Sequence, residues 1–277
     1  MAGSVPKVSF VITGFNAEAT VVDAVTSALA QTRVDHEVVY VDDGSTDGTL
    51  KLVQEIGSAR LEVVSSRHVG RAHALNLGVE TARGGLIAIL DADDVAQAHR
   101  AALQCAYMDG NESCMAVGGQ LEAFDQHGRI DRSGRLGFPT DPDEIDMWLR
   151  GGRMPLAHPA LMYRRSWFHD TGGYDSSVLR AEDFDLVLRG WRRRAYGALS
   201  EVVTRYFARN LFPSWSYWRR ENQYRRAVHD RWLRQDGSPC VVGPAGGVRE
   251  LVSDGVVWCA QMGRHWVVNR RKVGRLT

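Results

Sequence analysis

The chain contains little cysteine, and the placement of its cysteines argues against two ways of stabilising a small domain. Four cysteines occur among 277 residues, at positions 105, 114, 240 and 259. No two of them form a Cys-x-x-Cys pair, and their spacing fits neither a zinc site nor a disulfide framework. We therefore expect four free thiols in a reducing compartment.

The sequence also lacks a long hydrophobic run. A helix that spans a membrane needs roughly 20 apolar residues, whereas strand-like runs such as Leu86–Leu90 have only five. The first residues include no extended apolar segment of the kind found in secretory signals. These absences predict a cytoplasmic protein, and a position at the inner face of the membrane stays open because of a basic segment discussed below.

An excess of charge of one sign is missing as well. Lys and Arg total 34, Asp and Glu total 33, and the formal net charge is +1. This balance argues against a globally basic protein that binds nucleic acid, although an average can conceal a local patch. With 44% hydrophobic and 24% charged residues, the composition is that of an ordinary globular chain of one or two domains.

The first hundred residues show a regular alternation of strand and helix patterns. The predicted strands are Val8–Ile12, Glu37–Val41, Leu61–Val64 and Leu86–Leu90. The predicted helices are Val21–Leu29, with Asn16 as its N-cap, Thr49–Ile56 and Ala72–Ala82. This alternation predicts an α/β fold, with βαβ units and a mostly parallel, Rossmann-like sheet covered by helices on both faces. In such sheets ligands bind beyond the carboxyl ends of the strands.

The pattern is less regular in the rest of the chain. Further predicted strands are Met115–Leu121 and Ala160–Tyr163, and further predicted helices are Ile145–Leu149, Ala181–Arg194 and residues 213–234. The Gly- and Asp-rich stretch 125–143 gives no clear pattern, and the last forty residues are typical of short strands and turns.

An acidic cluster, Asp91-Ala92-Asp93-Asp94, directly follows the fourth predicted strand. Carboxylates at the end of a buried strand repel one another, by about 4 kcal/mol for two unit charges 4 Å apart at an effective dielectric of 20. A divalent cation offsets that repulsion, and hard oxygen ligands suit Mg²⁺ or Mn²⁺, which also bind a substrate pyrophosphate. The alternative is that these acids cap the following helix, for which one aspartate would suffice.

Two further acidic clusters each leave two interpretations open. The turn from Asp42 to Asp47 either caps a helix, with Gly44 allowing an unusual φ, or offers a carboxylate to a nucleotide base. The cluster Glu182-Asp183-Phe184-Asp185 is either the acidic first turn of a helix or the source of a general base for an acceptor hydroxyl.

In their order along the chain, six segments resemble the successive signatures of family 2 glycosyltransferases. The segments are Val8–Asn16, Val41–Asp47, Ala74–Gly78, Leu90–Asp94, Gly172–Asp175 and Ala181–Leu186. The resemblance covers roughly residues 7–206. It implies a GT-A fold, an inverting mechanism and a nucleotide-diphosphate-sugar donor, often a UDP-sugar.

The resemblance also implies roles for individual residues. The nucleotide pocket would comprise Thr13, Phe15, Asn16, Glu18, Asp42 or Asp43 at the base, Arg71 and the Asp91-Ala92-Asp93 motif. Asp93 would be the more direct ligand of Mn²⁺ or Mg²⁺, and Asp91 would lie nearer the ribose. Asp183 would be the catalytic base, with Glu182 orienting it or contacting the acceptor.

One histidine expected from the family is missing. Many relatives carry Tyr-Arg-x-His near the end of the core, whereas the corresponding stretch Thr204–Asn210 has only Arg205 and Arg209, which can pair with a phosphate but cannot bind a metal. His158 is either an acceptor or diphosphate contact or a histidine satisfied by nearby backbone. Trp148 is either an aromatic platform for a sugar or an ordinary core or rim residue.

The segment Arg189–Arg234 is strongly basic, because twelve arginines against three acids leave a net charge of +9. Tryptophan and tyrosine are interleaved with this charge. Three interpretations stay open: a surface helix that pairs with acids of the protein or forms a homodimer interface, peripheral contact with an anionic membrane, and binding to an anionic polymer.

The sequence therefore predicts a glycosyltransferase core over residues 1–206 and an extension over residues 207–277. Within the core, residues 1–95 would bind the nucleotide and residues 96–206 the acceptor, which is a glycan, a lipid-linked or a small-molecule hydroxyl. The alternative is a non-catalytic module that binds an anionic polymer or a membrane through Arg189–Arg234. Nucleic acid is not an expected partner.

Overall fold

The fold is built on a nine-stranded sheet, and the computed structural model describes residues 5–125, 127, 130–208 and 215–235 of the chain. The strands are β1 Val8–Gly14, β2 His36–Asp42, β3 Leu61–Ser65, β4 Leu86–Asp91, β5 Val95–Ala96, β6 Ala116–Phe124, β7 Ile130–Leu136, β8 Met162–Arg164 and β9 Tyr196–Phe207. The helices are α1 Val21–Leu29, α2 Thr49–Glu55, α3 Arg71–Thr81, α4 Arg100–Asp109, α5 Pro142–Arg150, α6 Arg165–Thr171, α7 Glu182–Arg189 and α8 Trp215–Gln235. A 3-10 turn spans His158–Ala160.

The strand order is β3-β2-β1-β4-β8-β6-β9-β5, with β7 beside β6. The first four strands are parallel, and Thr13 of β1 stands opposite both Val41 of β2 and Asp91 of β4. This register brings the carboxyl ends of three strands to one edge of the sheet. Strand β8 is antiparallel to both β4 and β6, while β6 and β9 are parallel. The predicted α/β class is confirmed, although the second half of the sheet is mixed.

Helices cover both faces of this sheet. Strands β1, β2 and β4 are almost fully buried, which explains their continuous apolar sequence. Helix α3 packs on one face, where Gly78 lies against Val11 and Val41, and α1 packs on the other. Among the described residues, no helix is both long and apolar enough to cross a bilayer.

Several elements were missed by the sequence patterns. Helix α4 lacks an apolar stripe because Arg100 and Gln104 lie on its buried side. Strand β9 alternates poorly because its middle is exposed and its pairing with β6 contains irregularities. Helix α6 was missed, β7 forms within the stretch without a pattern, and β8 starts later than predicted because the 3-10 turn precedes it.

The prediction of Asn16 as the cap of α1 is wrong. The helix begins after Thr20, and Asn16 lies in a turn with a φ of 52°. Its side-chain oxygen accepts a hydrogen bond from the backbone N–H of Thr46 at 2.8 Å. Asn16 therefore connects two loops at the sheet edge instead of ending a helix.

Candidate active site

A cleft of about 320 Å³ opens at the carboxyl ends of β1, β2 and β4, where ligands bind in sheets of this kind. Its lining includes seven of the residues predicted for the nucleotide pocket: Thr13, Phe15, Asp43, Arg71, Asp91, Ala92 and Asp93. Asn16, Glu18 and Asp42 lie outside this lining. The structure thus brings together most of the predicted nucleotide residues.

An aromatic pair forms the rim of the cleft. The rings of Phe15 and His68 are stacked with centroids 4.0 Å apart and an interplanar angle of 28°, and Phe15 is 44% exposed. His68 was not predicted, because nothing in its local sequence indicates that residues 15 and 68 meet. The pair offers a flat surface at the cleft entrance.

Asp43 organises the loop that carries His68. Its carboxylate accepts hydrogen bonds from the Ser66 hydroxyl at 2.9 Å and from the backbone N–H groups of Val69 and Gly70 at 2.9 and 3.0 Å. The next residue, Gly44, has a φ of +77°, and a Cβ at this position would lie 2.7 Å from the backbone nitrogen of His68. The loop can therefore approach closely only because residue 44 is glycine.

Asp42, Asn16 and Glu18 support the neighbouring turn. One oxygen of Asp42 accepts from the backbone N–H of Ser45 at 2.9 Å, and Asp42 itself is 1% exposed. Glu18 accepts from the backbone N–H of Gly48 at 3.1 Å. These contacts favour the turn interpretation for Asp42, and they leave Asp43 as the acid of this pair that faces the cleft.

The acidic cluster after β4 has the character of a cation site. Carboxylate oxygens of Asp91, Asp93 and Asp94 lie within 4.8 Å of one another. Asp94 is fully buried, and its Oδ1 accepts from the backbone N–H of Phe207 at 2.8 Å. Its Oδ2 is buried without a hydrogen-bond partner among the described residues. Burial, and then the charge of Asp91, raise the pKa of Asp94 well above its usual range.

These acids do not cap a helix, since the next helix begins only at Arg100 and its cap residue is His99. An orphaned buried oxygen beside two further carboxylates is instead the donor set that a hard divalent cation requires. The residues therefore fit Mn²⁺ or Mg²⁺.

Arg71 connects the two ends of the site. Its Nη2 donates to Asp91 Oδ1 at 2.6 Å, and its Nε lies 2.8 Å from Glu182 Oε1. Burial alone would raise the pKa of Asp91, but the positive charge of Arg71 outweighs it and holds that pKa well below its usual range. Asp91 is therefore ionised at neutral pH, and one guanidinium joins the end of β4 to the start of α7.

His158 is held between Arg71 and Tyr174. Arg71 Nη2 lies 3.0 Å from His158 Nδ1, and His158 Nε2 lies 3.0 Å from the Tyr174 hydroxyl. Because a guanidinium can only donate, Nδ1 accepts and the ring proton belongs on Nε2. His158 is 6% exposed and reaches the cleft through Arg71, so its contact with acceptor or diphosphate stays a prediction.

The signature segments around Asn76 and Tyr174 meet in space. The side chain of Asn76 donates to the Tyr174 carbonyl at 2.8 Å and accepts from the Tyr174 N–H at 2.9 Å. These residues are 98 positions apart, and the pair fixes α3 against the turn before α7. Asn76 was not predicted as a site residue, although its segment was quoted as a signature.

The acids at the start of α7 point in different directions, as expected for a rotation of about 100° per residue. Glu182 is 8% exposed and faces Arg71. Asp183 is partly exposed, and its Oδ1 accepts from the backbone N–H of Phe184 at 2.8 Å. Asp185 turns away and pairs with Arg189 at 2.7 Å and with Arg231. Of these acids, Glu182 is joined to the cleft through Arg71, and the role of Asp183 as catalytic base stays a prediction.

The remaining predicted contacts lie elsewhere. Trp148 lies on α5 beneath the Arg153 guanidinium, 3.7 Å from its ring centroid, and does not line the cleft. Arg205 lies 3.9 Å from Glu122 and over the ring of Phe124. Arg209 and the predicted strands and turns of residues 237–277 lie outside the described residues.

The arrangement of strands and helices defines the fold class, because solved structures share it. TarS from S. aureus, solved with UDP-GlcNAc, superposes with a TM-score of 0.64 at 16% identity over 94% of this chain and 73% of that one. The mannosyltransferase PcManGT from Pyrobaculum calidifontis was solved with GDP-Man and Mn²⁺. It superposes with a TM-score of 0.59 at 23% identity, over 84% of this chain and 65% of that chain. The fold is therefore of the GT-A type.

The family follows from the sequence comparisons. The profile of glycosyl transferase family 2 matches residues 9–172. The putative glycosyltransferase EpsE of Bacillus subtilis (strain 168) is 32% identical over 190 residues, 66% of each chain. A chondroitin synthase of Escherichia coli is 31% identical over 187 residues, 67% of this chain and 26% of that one.

The chain belongs to glycosyl transferase family 2. It spans between 26% and 66% of the length of these two relatives. Membership supports glycosyltransferase activity.

Proposed function

We propose that the protein transfers a sugar from a UDP-sugar to an acceptor hydroxyl with inversion at the anomeric carbon. The observation that supports this proposal is the path Asp91–Arg71–Glu182, in which one guanidinium contacts both the acidic cluster and the start of α7. Nucleotide-half residues 13–93 and acceptor-half residues 182–183 would meet at this site, within a proposed core of residues 1–206 that residues 207–277 extend.

The donor would lie in the cleft lined by Thr13, Phe15 and Asp43. The exposed ring of Phe15 supplies a stacking surface for the base, and Asp43 supplies an acceptor for its N–H groups. A uridine nucleotide is supported by TarS, which was solved with UDP-GlcNAc, whereas PcManGT was solved with GDP-Man.

Asp93 and Asp91 would hold Mn²⁺ or Mg²⁺, with Asp94 behind them. When bound, the cation supplies positive charge to the leaving diphosphate. Arg71 adds a second positive charge at the same edge of the cleft. Its guanidinium is paired with Asp91 and Glu182, so it is held in place before any donor arrives.

Asp183 would act as the general base. It takes the proton of the acceptor hydroxyl as that oxygen bonds to the anomeric carbon, while the bond to the diphosphate oxygen breaks on the opposite face. Glu182 is engaged by Arg71 and would orient the start of the helix. The acceptor hydroxyl, its carrier molecule and any membrane or homodimer contact stay predictions.

The first experiment measures thermal stability with nucleoside diphosphates in the presence and absence of Mn²⁺. A ligand at 100 times its Kd adds about 2.7 kcal/mol, so we expect a Mn²⁺-dependent shift with UDP that disappears in Asp93→Ala. Asp183→Asn should keep this shift and lower transfer by about 10²-fold or more. Asp170→Asn, at an exposed position of α6, is the matched control and should change neither readout.

Three results would contradict parts of the proposal. A thermal shift with GDP alone would mean that the donor nucleotide is GDP and not UDP. No shift with any nucleotide would contradict the proposed donor site. A product that keeps the anomeric configuration of the donor would exclude inversion.

A further inference from the structure

A second recess, of about 470 Å³, lies at the far end of α7. Its walls are formed by the end of α7, by residues 191–193 and by the end of α8. Its lining includes three arginines and two tryptophans, Arg189, Arg192, Arg193, Trp191 and Trp232, and among the described residues no acidic one. It is separate from the candidate active site, with which it shares no lining residue.

Two of the three arginines have positive charge that the described residues do not neutralise. Arg189 is paired with Asp185 at 2.7 Å. Arg192 and Arg193 are exposed, and neither forms an ion pair with a described carboxylate. Arg192 Nη1 donates to the Trp191 carbonyl at 2.8 Å. By contrast, the adjacent Arg194 lies 3.5 Å from Asp143. The recess thus presents two guanidinium groups, which bind carboxylates in bidentate geometry.

The tryptophans give the recess fixed aromatic walls. The rings of Trp191 and Trp232 have centroids 5.8 Å apart and are nearly perpendicular, at 78°. Trp191 Nε1 donates to Asp146 at 2.7 Å, and the Arg150 guanidinium lies 4.8 Å from its ring centroid. Rigid aromatic faces beside cationic groups suit a ligand with both a flat apolar face and a negative charge, as in a pyranose ring that bears a carboxylate.

A membrane surface fits this region less well. Helix α8 turns its described apolar side inward: Val228 is 7% exposed, and His229 stacks on Phe184. Within residues 219–235, the large hydrophobic side chain that is exposed is that of Tyr224, which is 37% exposed. A helix lying in a membrane needs a continuous exposed apolar face, which residues 219–235 do not provide. The surface lined by the arginines and tryptophans is also a concave recess and not a flat helix face.

We propose that this recess binds a segment of an acidic polysaccharide through its sugar carboxylates. The inference rests on the proposed function, for which the polymer is acceptor or product. Helix α7 carries the recess at its C-terminal end and Glu182 and Asp183 at its N-terminal end. Asp183 and Arg189 are six residues apart, about 9 Å along the helix axis. A chain held in the recess therefore lies close to the site of transfer.

The test measures binding of the full chain to a galacturonate oligomer, without nucleotide, against a neutral glucose oligomer of equal length. We expect Arg192→Glu/Arg193→Glu to weaken the Kd for the acidic oligomer at least tenfold. The matched control, Arg219→Glu/Arg220→Glu, makes the same change of charge on α8 far from the recess and should stay within twofold. The Mn²⁺-dependent shift with UDP should be unchanged in both variants, which also verifies that they are folded.

Several results would overturn the proposal. These are equal binding of the neutral oligomer, no binding of the acidic oligomer, and equal losses in the two double variants. Tighter binding to phosphatidylglycerol vesicles than to the oligomer, lost in the recess variant, would assign the surface to a membrane instead. The oligomer-binding assay uses no nucleotide. The absence of a thermal shift with UDP would therefore contradict the proposed donor site, but it would not change the outcome of the oligomer-binding test.

Discussion

At the scale of single residues, an unusual feature is a buried arginine that forms no ion pair with a carboxylate in the part of the chain that the structure describes. Arg100 is 0% exposed, and its guanidinium donates to oxygens of five residues: Ile89, Gln104, Pro159, Leu161 and Thr204. Burial lowers the pKa of Arg100 to about 9. One side chain thus ties β4 to the 3-10 turn, to the residue that follows this turn, and to β9.

We expect Arg100→Lys to destabilise the protein by about 3 kcal/mol. Lysine keeps the charge but has three donors in place of five, so buried carbonyl groups lose their partners at about 1–3 kcal/mol each. Urea unfolding measures the loss. The same substitution at the exposed Arg193 should stay within about 0.5 kcal/mol. Equal stability of Arg100→Lys and wild type would show that water or a shifted backbone satisfies these carbonyl groups.

A second prediction concerns Glu37, which is 5% exposed. Burial by itself would raise its pKa, but hydrogen bonds from Ser9 at 2.6 Å and from Arg83 at 2.7 Å outweigh this, and the pKa lies below 4.5. Ionised Glu37 therefore stabilises the fold fully above pH 4.5, and this stabilisation is lost as the pH falls through the lowered pKa.

Glu37→Gln should cost about 2 kcal/mol near pH 7, and the difference from wild type should shrink as the pH falls below 4.5. Urea unfolding at a series of pH values measures this convergence. Glu62→Gln, at an exposed position of β3, serves as the control and should show no such trend. A difference that is constant with pH would mean that the hydrogen-bond geometry, and not the charge, stabilises the fold.

At the scale of elements, the success of the sequence patterns depended on what each element buries. Strands β1, β2 and β4 are covered on both sides, so their apolar runs were visible, and the polar residues at their ends predicted the cleft. Helix α4 buries Arg100 and Gln104, and no apolar period can reveal such a helix. The contacts between Phe15 and His68 and between Asn76 and Tyr174 join distant parts of the chain, so no local pattern contains them.

Gly78 tests the packing of α3 on the sheet. A Cβ at this position would lie 2.5 Å from Cγ1 of the fully buried Val11. Overpacking costs about 1–3 kcal/mol, against a gain in helix propensity of about 1 kcal/mol. We therefore expect Gly78→Ala to destabilise the protein by up to about 2 kcal/mol in urea unfolding.

The control is Gly110→Ala, where the new Cβ would be 3.5 Å from the Ala106 carbonyl, an ordinary contact at a helical φ of −78°. Here the fold should be unchanged or slightly stabilised. Stabilisation by Gly78→Ala as well would show that α3 can move away from β1 at little cost, contrary to the close packing described above.

At the scale of the whole molecule, α8 is joined to the core by charge as well as by aromatic packing. Arg231 Nη1 lies 3.3 Å from Asp175, and its Nη2 contacts the buried Asp185. Arg180 pairs with Glu221 at 2.5 Å. Arg231 of the basic segment thus pairs with acids of the core, which favours the first of the three interpretations for this arginine and leaves Arg192 and Arg193 for a ligand.

Replacing Arg231 should loosen α8 without disturbing the sheet. In Arg231→Met, Asp185 loses one of its two cationic partners, and hydrogen bonds to charged groups contribute about 1.5–3 kcal/mol. Hydrogen exchange of residues 219–235 should therefore accelerate about tenfold or more, while exchange in β1 and β2 stays at the wild-type rate. Arg220→Met, at an exposed position of the same helix, should leave both regions unchanged. Faster exchange in β1 would mean that α8 and the sheet unfold as one cooperative unit, so that the region proposed as an extension is an integral part of the core.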